Sequence, residues 1–275
     1  MPLSKGQLAS FAAEHDTKSL FNTSPRHLAG PGDGRHVTHG LAAAGWTLVS
    51  DPLNPLMVLR SDDVDRRLIL DGTSHLYYWS LQNHTGGDEP HWYASFSYRT
   101  PVEIVAAVTD TLVTPPTEGA EDPDAWHTIR QAGWPVTSAR QAHSPDGLCQ
   151  ISRLDDDMLA NPWYIEVRDY QHEHAPHWWR TVFHGNTPGR LVHAFAAALT
   201  DSAPLLRSQF SDGVHHQAVQ EPSRRNGQQL VEAHTSRLDV LRGQVRAARR
   251  RARAAARPTT SPPSRTASPA TPAHR

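Results

Sequence analysis

Residues 90–112 read PHWYASFSYRTPVEIVAAVTDTL, and residues 176–199 read PHWWRTVFHGNTPGRLVHAFAAAL. The second stretch repeats the first. His91-Trp92 recurs as His177-Trp178, and Thr100-Pro101 as Thr187-Pro188. Upstream, Ala44-Gly45-Trp46 recurs as Ala132-Gly133-Trp134, so the offsets of the three landmarks are 88, 86 and 87 residues. A period this long marks a duplicated domain, since solenoid repeats are shorter.

Both copies carry the same local signals. In WYASFSY, Trp92, Ala94, Phe96 and Tyr98 share one face and Tyr93, Ser95 and Ser97 the other, the period of a half-buried strand. Trp92 and, through the His-Trp match, Trp178 are therefore expected in the core. Tyr93 and Trp179 are expected on the open face, as candidate aromatic contacts. The runs WTLVS, LMVLRS, RRLILD and LYYWSLQN precede this strand, divided by Asp-Pro, Asn-Pro and Asp-Gly breakers; LCQISRL, WYIEVRDY and WWRTVFH occupy matching places in the second copy. Gly45 and Gly133 read as residues just past a helix C-terminus. Thr100 and Thr187 read as N-caps, with proline at the first helical position. Val102, Val105, Ala106, Val108, Thr109 and Leu112 form one apolar stripe, and Leu191, Val192, Phe195, Ala196 and Leu199 another. The expected fold class is α+β, an antiparallel sheet flanked by helices, present twice.

The expected division is a partly flexible N-terminal segment (1–23), a first unit (24–116), a linker (117–124), a second unit (125–207) and a second linker (208–222). A basic helix (223–257) and a disordered Pro/Ser/Thr-rich tail (258–275) follow.

SPRHLAGPGDGRHVTHGLAAAGW, WYASFSYRTPVEIVAAVTDTL, the SPDG at Ser144 and TPGRLVHAFAAALTDSAPLLR together resemble the actinobacterial SPDY-type family, a domain of unknown function that commonly occurs in tandem. The resemblance covers roughly residues 24–207. Gly147 stands where the family's name has tyrosine, and the first copy has SDPLNP at that place. The resemblance implies fold and lineage, and it brings no catalytic residue with it.

With 275 residues the chain is long enough for two cores. Cys149 is the only cysteine, which excludes an intrachain disulfide and a cysteine-based zinc site. No apolar run reaches the length of a membrane span, and the first residues lack a signal-peptide core, so a cytoplasmic protein is expected. An apolar share of 37%, 22 prolines and a mean hydropathy of -0.57 fit a chain with an unfolded portion.

No phosphate-loop, dinucleotide-binding, nucleophile-elbow or HExxH motif occurs, and GPGDG at Gly30 reads as a turn. The enzymatic alternative is a metal-dependent hydrolase built on His172, His174 and His177 in QHEHAPHWW, since a His-x-His pair can chelate a divalent ion. The first copy has Gly86 and Asp88 at the places of the first two histidines, so the reading leans away from an enzyme and expects no metal or cofactor.

The net charge of -1 hides a division: from Pro222 onward twelve arginines face only Glu232 and Asp239, a local +10, which leaves -11 on what precedes it. Leu230, His234, Leu238, Leu241, Val245, Ala248, Ala252 and Ala255 approach a heptad seam, as in a coiled coil. Arg246, Arg249, Arg250, Arg251, Arg253 and Arg257 form a cationic patch suited to phosphate or an acidic partner. The leading reading is a non-catalytic tandem interaction module with a basic arm that binds nucleic acid or an acidic partner. A structural oligomer assembled by the C-terminal helix, self-associating weakly, is the third reading. Removing residues 223–275 is expected to leave the body folded.

Overall fold

The computed structural model describes residues 3–49, 51, 53–61, 65–84, 91–115, 122–138, 140–156, 160–168, 177–209 and 211–255. The chain begins with α1 (Lys5–His15), β1 (Leu20–Ser24) and a 3-10 turn at Arg26–Leu28. The first unit is α2 (Arg35–Ala43), β2 (Thr47–Leu48), β3 (Leu56–Arg60), β4 (Arg66–Asp71), β5 (Trp79–Asn83), β6 (Trp92–Phe96) and α3 (Val102–Val113). The second repeats that order: α4 (Ala125–Gln131), β7 (Val136–Ser138), β8 (Gln141–His143), β9 (Cys149–Arg153), β10 (Trp163–Val167), β11 (Trp179–Phe183) and α5 (Gly189–Thr200). β12 (Leu205–Ser208), β13 (Val219–Pro222) and α6 (Gly227–Ala255) close the described chain. The α+β class holds.

The glycine landmarks do what their position requires. Gly45 and Gly133 have φ of 94° and 77°. Trp46 N donates back to Leu41 O and Trp134 N to Ile129 O, the six-residue closure that ends a helix on a left-handed residue. The helix starts differ from expectation. Pro101 and Pro188 take the cap position, and neither helix start has a side-chain cap. Thr100 Oγ1 is buried without a partner, and Thr187 Oγ1 donates to His184 O at 2.6 Å. The first amides are met from elsewhere: Val102 N by Pro31 O of the GPGDG turn, and Gly189 N by the Asp122 carboxylate.

The two units share one ten-stranded antiparallel sheet, ordered β2-β3-β4-β5-β6-β11-β10-β9-β8-β7. The join is β6 against β11, with Ala94, Ser95 and Phe96 opposite Phe183, Val182 and Thr181. The central pair, Ser95 and Val182, lies 87 residues apart, the offset of Thr100 and Thr187, so a local two-fold relates the halves. On one face α3 packs on α5, with α2 and α4 outside them. Beneath runs one continuous core in which the Phe96, Phe183 and Phe195 rings lie within 6.1 Å of a neighbour. The other face carries the row Val58, Ile69, Ser80, Ser95, Val182, Tyr164, Ser152 and Gln141.

This register corrects the His-Trp alignment by one residue. Trp179, at offset 87, is the counterpart of Trp92, and both indoles are in the core at 1% and 4% exposure. Trp178 precedes the strand and is half-buried. The expected exposed face of Trp179 is thus its buried one, because a one-residue slip turns every side chain of a strand over.

Residues expected as flexible ends and linkers build a further layer. β1 pairs with both β12 and β13 in a three-stranded sheet. Arg207 of β12, with its side chain 2% exposed, grips Glu103 through two bonds of 2.6 and 2.8 Å and also binds Ala29 O and Gly30 O. α6 lies on α1 and α2, burying His234, Leu238 and Leu241, with Val245 against the core. Arg237 forks onto Asp110 at 2.7 and 2.6 Å and reaches His36 O. The first half of the predicted seam therefore faces this chain's own body, and α6 is part of the fold rather than a detachable arm.

Candidate functional site

Arg246, Arg249, Arg250, Arg251 and Arg253 are all exposed on the last turns of α6; Arg257 lies outside the described residues. Arg246, Arg249, Arg250 and Arg253 follow the i, i+3, i+4, i+7 spacing of one helix face, about 10 Å from end to end. No acid follows Asp239, so nothing in this stretch neutralises the row from within the helix. Arg249 runs back against Gly45 at the end of α2. Cations at a helix C-terminus also complement its dipole. The helix extends beyond its packed part, since Leu241 is its last fully buried side chain.

The aromatic pair expected on the open face is split. Tyr93 is there, half-buried and stacked on His184 with centroids 4.8 Å apart; burial, with Tyr164 and Tyr77 adding to it, pushes its phenol up. Trp179 is under the helices, its Nε1 donating to His27 O at 2.8 Å. Of the three histidines in the metal reading, His172 and His174 lie outside the described residues. His177 takes a hydrogen bond from Arg180, and its Nδ1 lies 3.1 Å from Glu166 Oε2 without hydrogen-bond alignment. Burial, reinforced by Arg180, pushes its pKa down.

Sequence reasoning missed two polar clusters because their members are far apart in the chain. Glu14, His15 and Asp33 converge beside a cleft of about 550 Å³. His15 Nε2 is 2.7 Å from Asp33, while Arg35 bonds both Asp33 and Glu14 and so holds the place between the carboxylates that a metal ion would take. Burial would raise Asp33, but His15 and Arg35 hold it far below the usual range. The second cluster is His27, Asp146 and Ser144. His27 Nε2 is 2.8 Å from Asp146, which also accepts from Ser144 and from Leu148 N. Burial opposes ionisation of Asp146, but His27 and Ser144 draw its pKa to about 2. The carboxylate stands between serine and histidine, whereas a catalytic triad has the histidine in the middle. Ser144 is buried and accepts from Cys149 N, which makes this trio a tie between the 3-10 turn and the SPDG corner. Burial, with Asp146 and Glu166 adding to it, raises the Cys149 thiol well above its ordinary value and so disfavours the thiolate.

The repeated sheet and its helices define a tandem α+β protein whose units are fused along one strand pair. Two stretches, residues 60–118 and 143–205, match SPDY, Domain of unknown function (DUF317). The two matches fall one in each unit, as two tandem copies of that domain. No curated protein and no solved structure matches the chain. No helix among the described residues is long and apolar enough to cross a membrane.

Proposed function

We propose that the protein is a non-catalytic binding module that presents the arginine face of α6 to nucleic-acid phosphate. The observation that carries this reading is the exposed row Arg246, Arg250 and Arg253, with no acid after Asp239, on a helix whose preceding turns are packed against the body. Guanidinium groups on such a row suit backbone phosphates, and nothing in it reads bases, so binding is expected to be indifferent to sequence. The arrangement of the buried Ser144 and Cys149 speaks against acyl transfer at either. The apolar seam of α6 is engaged within the chain as far as Val245, which favours an arm over an oligomer zipper.

The test is titration of labelled duplex DNA and RNA at several salt concentrations, with the intact chain and with the double variant Arg250→Gln, Arg253→Gln. The variant should reduce the log–log salt slope by about 2, one counterion per lost phosphate contact, and weaken binding about tenfold or more at low salt. Equal slopes for the two proteins, or no binding by the intact chain, would remove the reading.

A further inference from the structure

Across the join of the two units the backbone is nearly symmetric. Beyond the ladder, Ser97 N donates to Arg180 O at one end, and His184 N donates to Tyr93 O at the other, both at 2.9 Å. These positions are related by the same 87-residue offset. The side chains are not symmetric. At one end Tyr93 and His184 stack, with centroids 4.8 Å apart. At the other, a cavity of about 320 Å³ remains, lined by His75, Tyr98 and Arg99 of the first unit and His177, Trp178 and Arg180 of the second. The two ends share their backbone pairing and differ in their side chains, so the chemistry of the cavity is set by the side chains that line it.

Its lining is specific in chemistry. Two donors of residues that line it, Trp178 Nε1 and Arg180 Nε, are buried and have no hydrogen-bond partner among the described residues. Buried N–H groups are nearly always satisfied, and leaving one unpaired is costly, so two together at one cavity call for an acceptor. The exposed Arg99 guanidinium stands 4.2 Å over the Trp178 ring. Among the described residues no carboxylate lines the space, and Glu166 behind it pairs with Arg180 at 3.3 Å. Trp178 and Tyr98 supply apolar walls, and the volume is at the small end of ligand pockets. The Arg99 cation, two orphaned donors and aromatic walls fit a small acid with a flat body.

We propose that this seam cavity binds a small organic anion, with a planar apolar body against Trp178 and Tyr98 and a carboxylate or phosphate head on Trp178 Nε1, Arg180 and Arg99. The site needs residues of both units, so neither SPDY domain holds it alone. It is separate from the arginine face of α6.

Isothermal titration of the full chain with 1-naphthoate and with AMP tests the proposal and separates the two head groups; 1-naphthamide, flat but uncharged, is the control. Saturable one-to-one binding of naphthoate, AMP or both is expected, with none for the amide. Binding by naphthoate alone assigns a carboxylate head, and by AMP alone a phosphate head. Trp178→Phe keeps a ring and removes the donor, and Arg99→Gln removes a charge at an exposed position; each should weaken binding about tenfold. Arg99→Gln decides the matter if Trp178→Phe fails to fold. The double variant in α6 should bind these probes as the intact chain does, which keeps the outcome independent of the nucleic-acid reading. Failure of both anions to bind at millimolar concentration, equal binding of the amide, or unchanged affinity in Arg99→Gln would overturn the site.

Discussion

At Trp179 one side chain joins three parts of the chain. Its ring lies in the core beneath the helices, its Nε1 holds His27 O, and His27 in turn holds Asp146. Trp179→Ala is expected to cost on the order of 3–5 kcal/mol, as for a large core aromatic. Trp178→Ala, at a half-buried position before the strand, should cost less than half of that. Urea unfolding of the two variants measures both, and a larger loss at Trp178 would contradict the register. This is also where the sequence was hardest to read. Two adjacent tryptophans offer two registers, and the His-Trp match selected the wrong one. The better signal was present: Phe96 with Phe183 and Thr100 with Thr187 both lie 87 apart, and that offset pairs Trp92 with Trp179. The seam cavity, His27–Asp146 and Arg207–Glu103 had no local signal, because their members meet only through the fold.

At the scale of elements, α6 is the part whose role composition obscured. Its arginines read as a solvated arm, whereas His234, Leu238 and Leu241 bury into α1 and α2. Removing residues 223–275 should destabilise the chain by on the order of 5 kcal/mol, through lost apolar burial and an unpaired Asp110. Removing only 249–275 should leave thermal stability nearly unchanged, since Leu241 and Val245 stay in place. Comparison of the two truncations by calorimetry separates the packed part of the helix from its charged end. The docking also depends on pH. His234 stacks on Phe11 at 4.1 Å and meets His39 Nδ1 at 3.1 Å, with His36 edge-on. Burial pushes His39 to about 4 and His234 to about 3; Arg35 and His36 press on the first, His36, His39 and Arg237 on the second, and Asp33 opposes in both. The folded chain keeps both neutral, while the unfolded chain binds protons below about 6.5. Their contribution is therefore intact above that pH and lost as pH falls toward 4, by up to about 1.4 kcal/mol per unit for each histidine. Urea midpoints should fall between pH 6.5 and 5, and fall less in His234→Phe; a flat profile would rule this out. Below about pH 4 the carboxylates of Asp33 and Asp146 take over the loss.

For the whole molecule, the decisive fact is that the two units share a sheet and a core. The hydrophobic cluster passes without interruption from Leu28 to Leu199, through both halves. Thermal unfolding should accordingly be one cooperative transition, with calorimetric and van't Hoff enthalpies in agreement. Two resolved transitions would mean that the units are only neighbours. The duplication, the sheet class and the closing helices were legible because they rest on periodicity and on Gly-Trp and Thr-Pro signals repeated in order. The fusion itself was not: strand pairing across the join depends on Ala94–Phe96 meeting Thr181–Phe183, and neither segment marks itself as an edge.

The β6–β11 join has a consequence for how the surface can vary. Were the same strands paired between two separate, identical chains, the axis between them would force both mouths of the seam to carry the same side chains. A single polypeptide is free of that constraint. One end can carry the Tyr93–His184 stack while the other keeps Arg99, Trp178 and Arg180 around an open space, so covalent linkage lets the two ends of the seam differ.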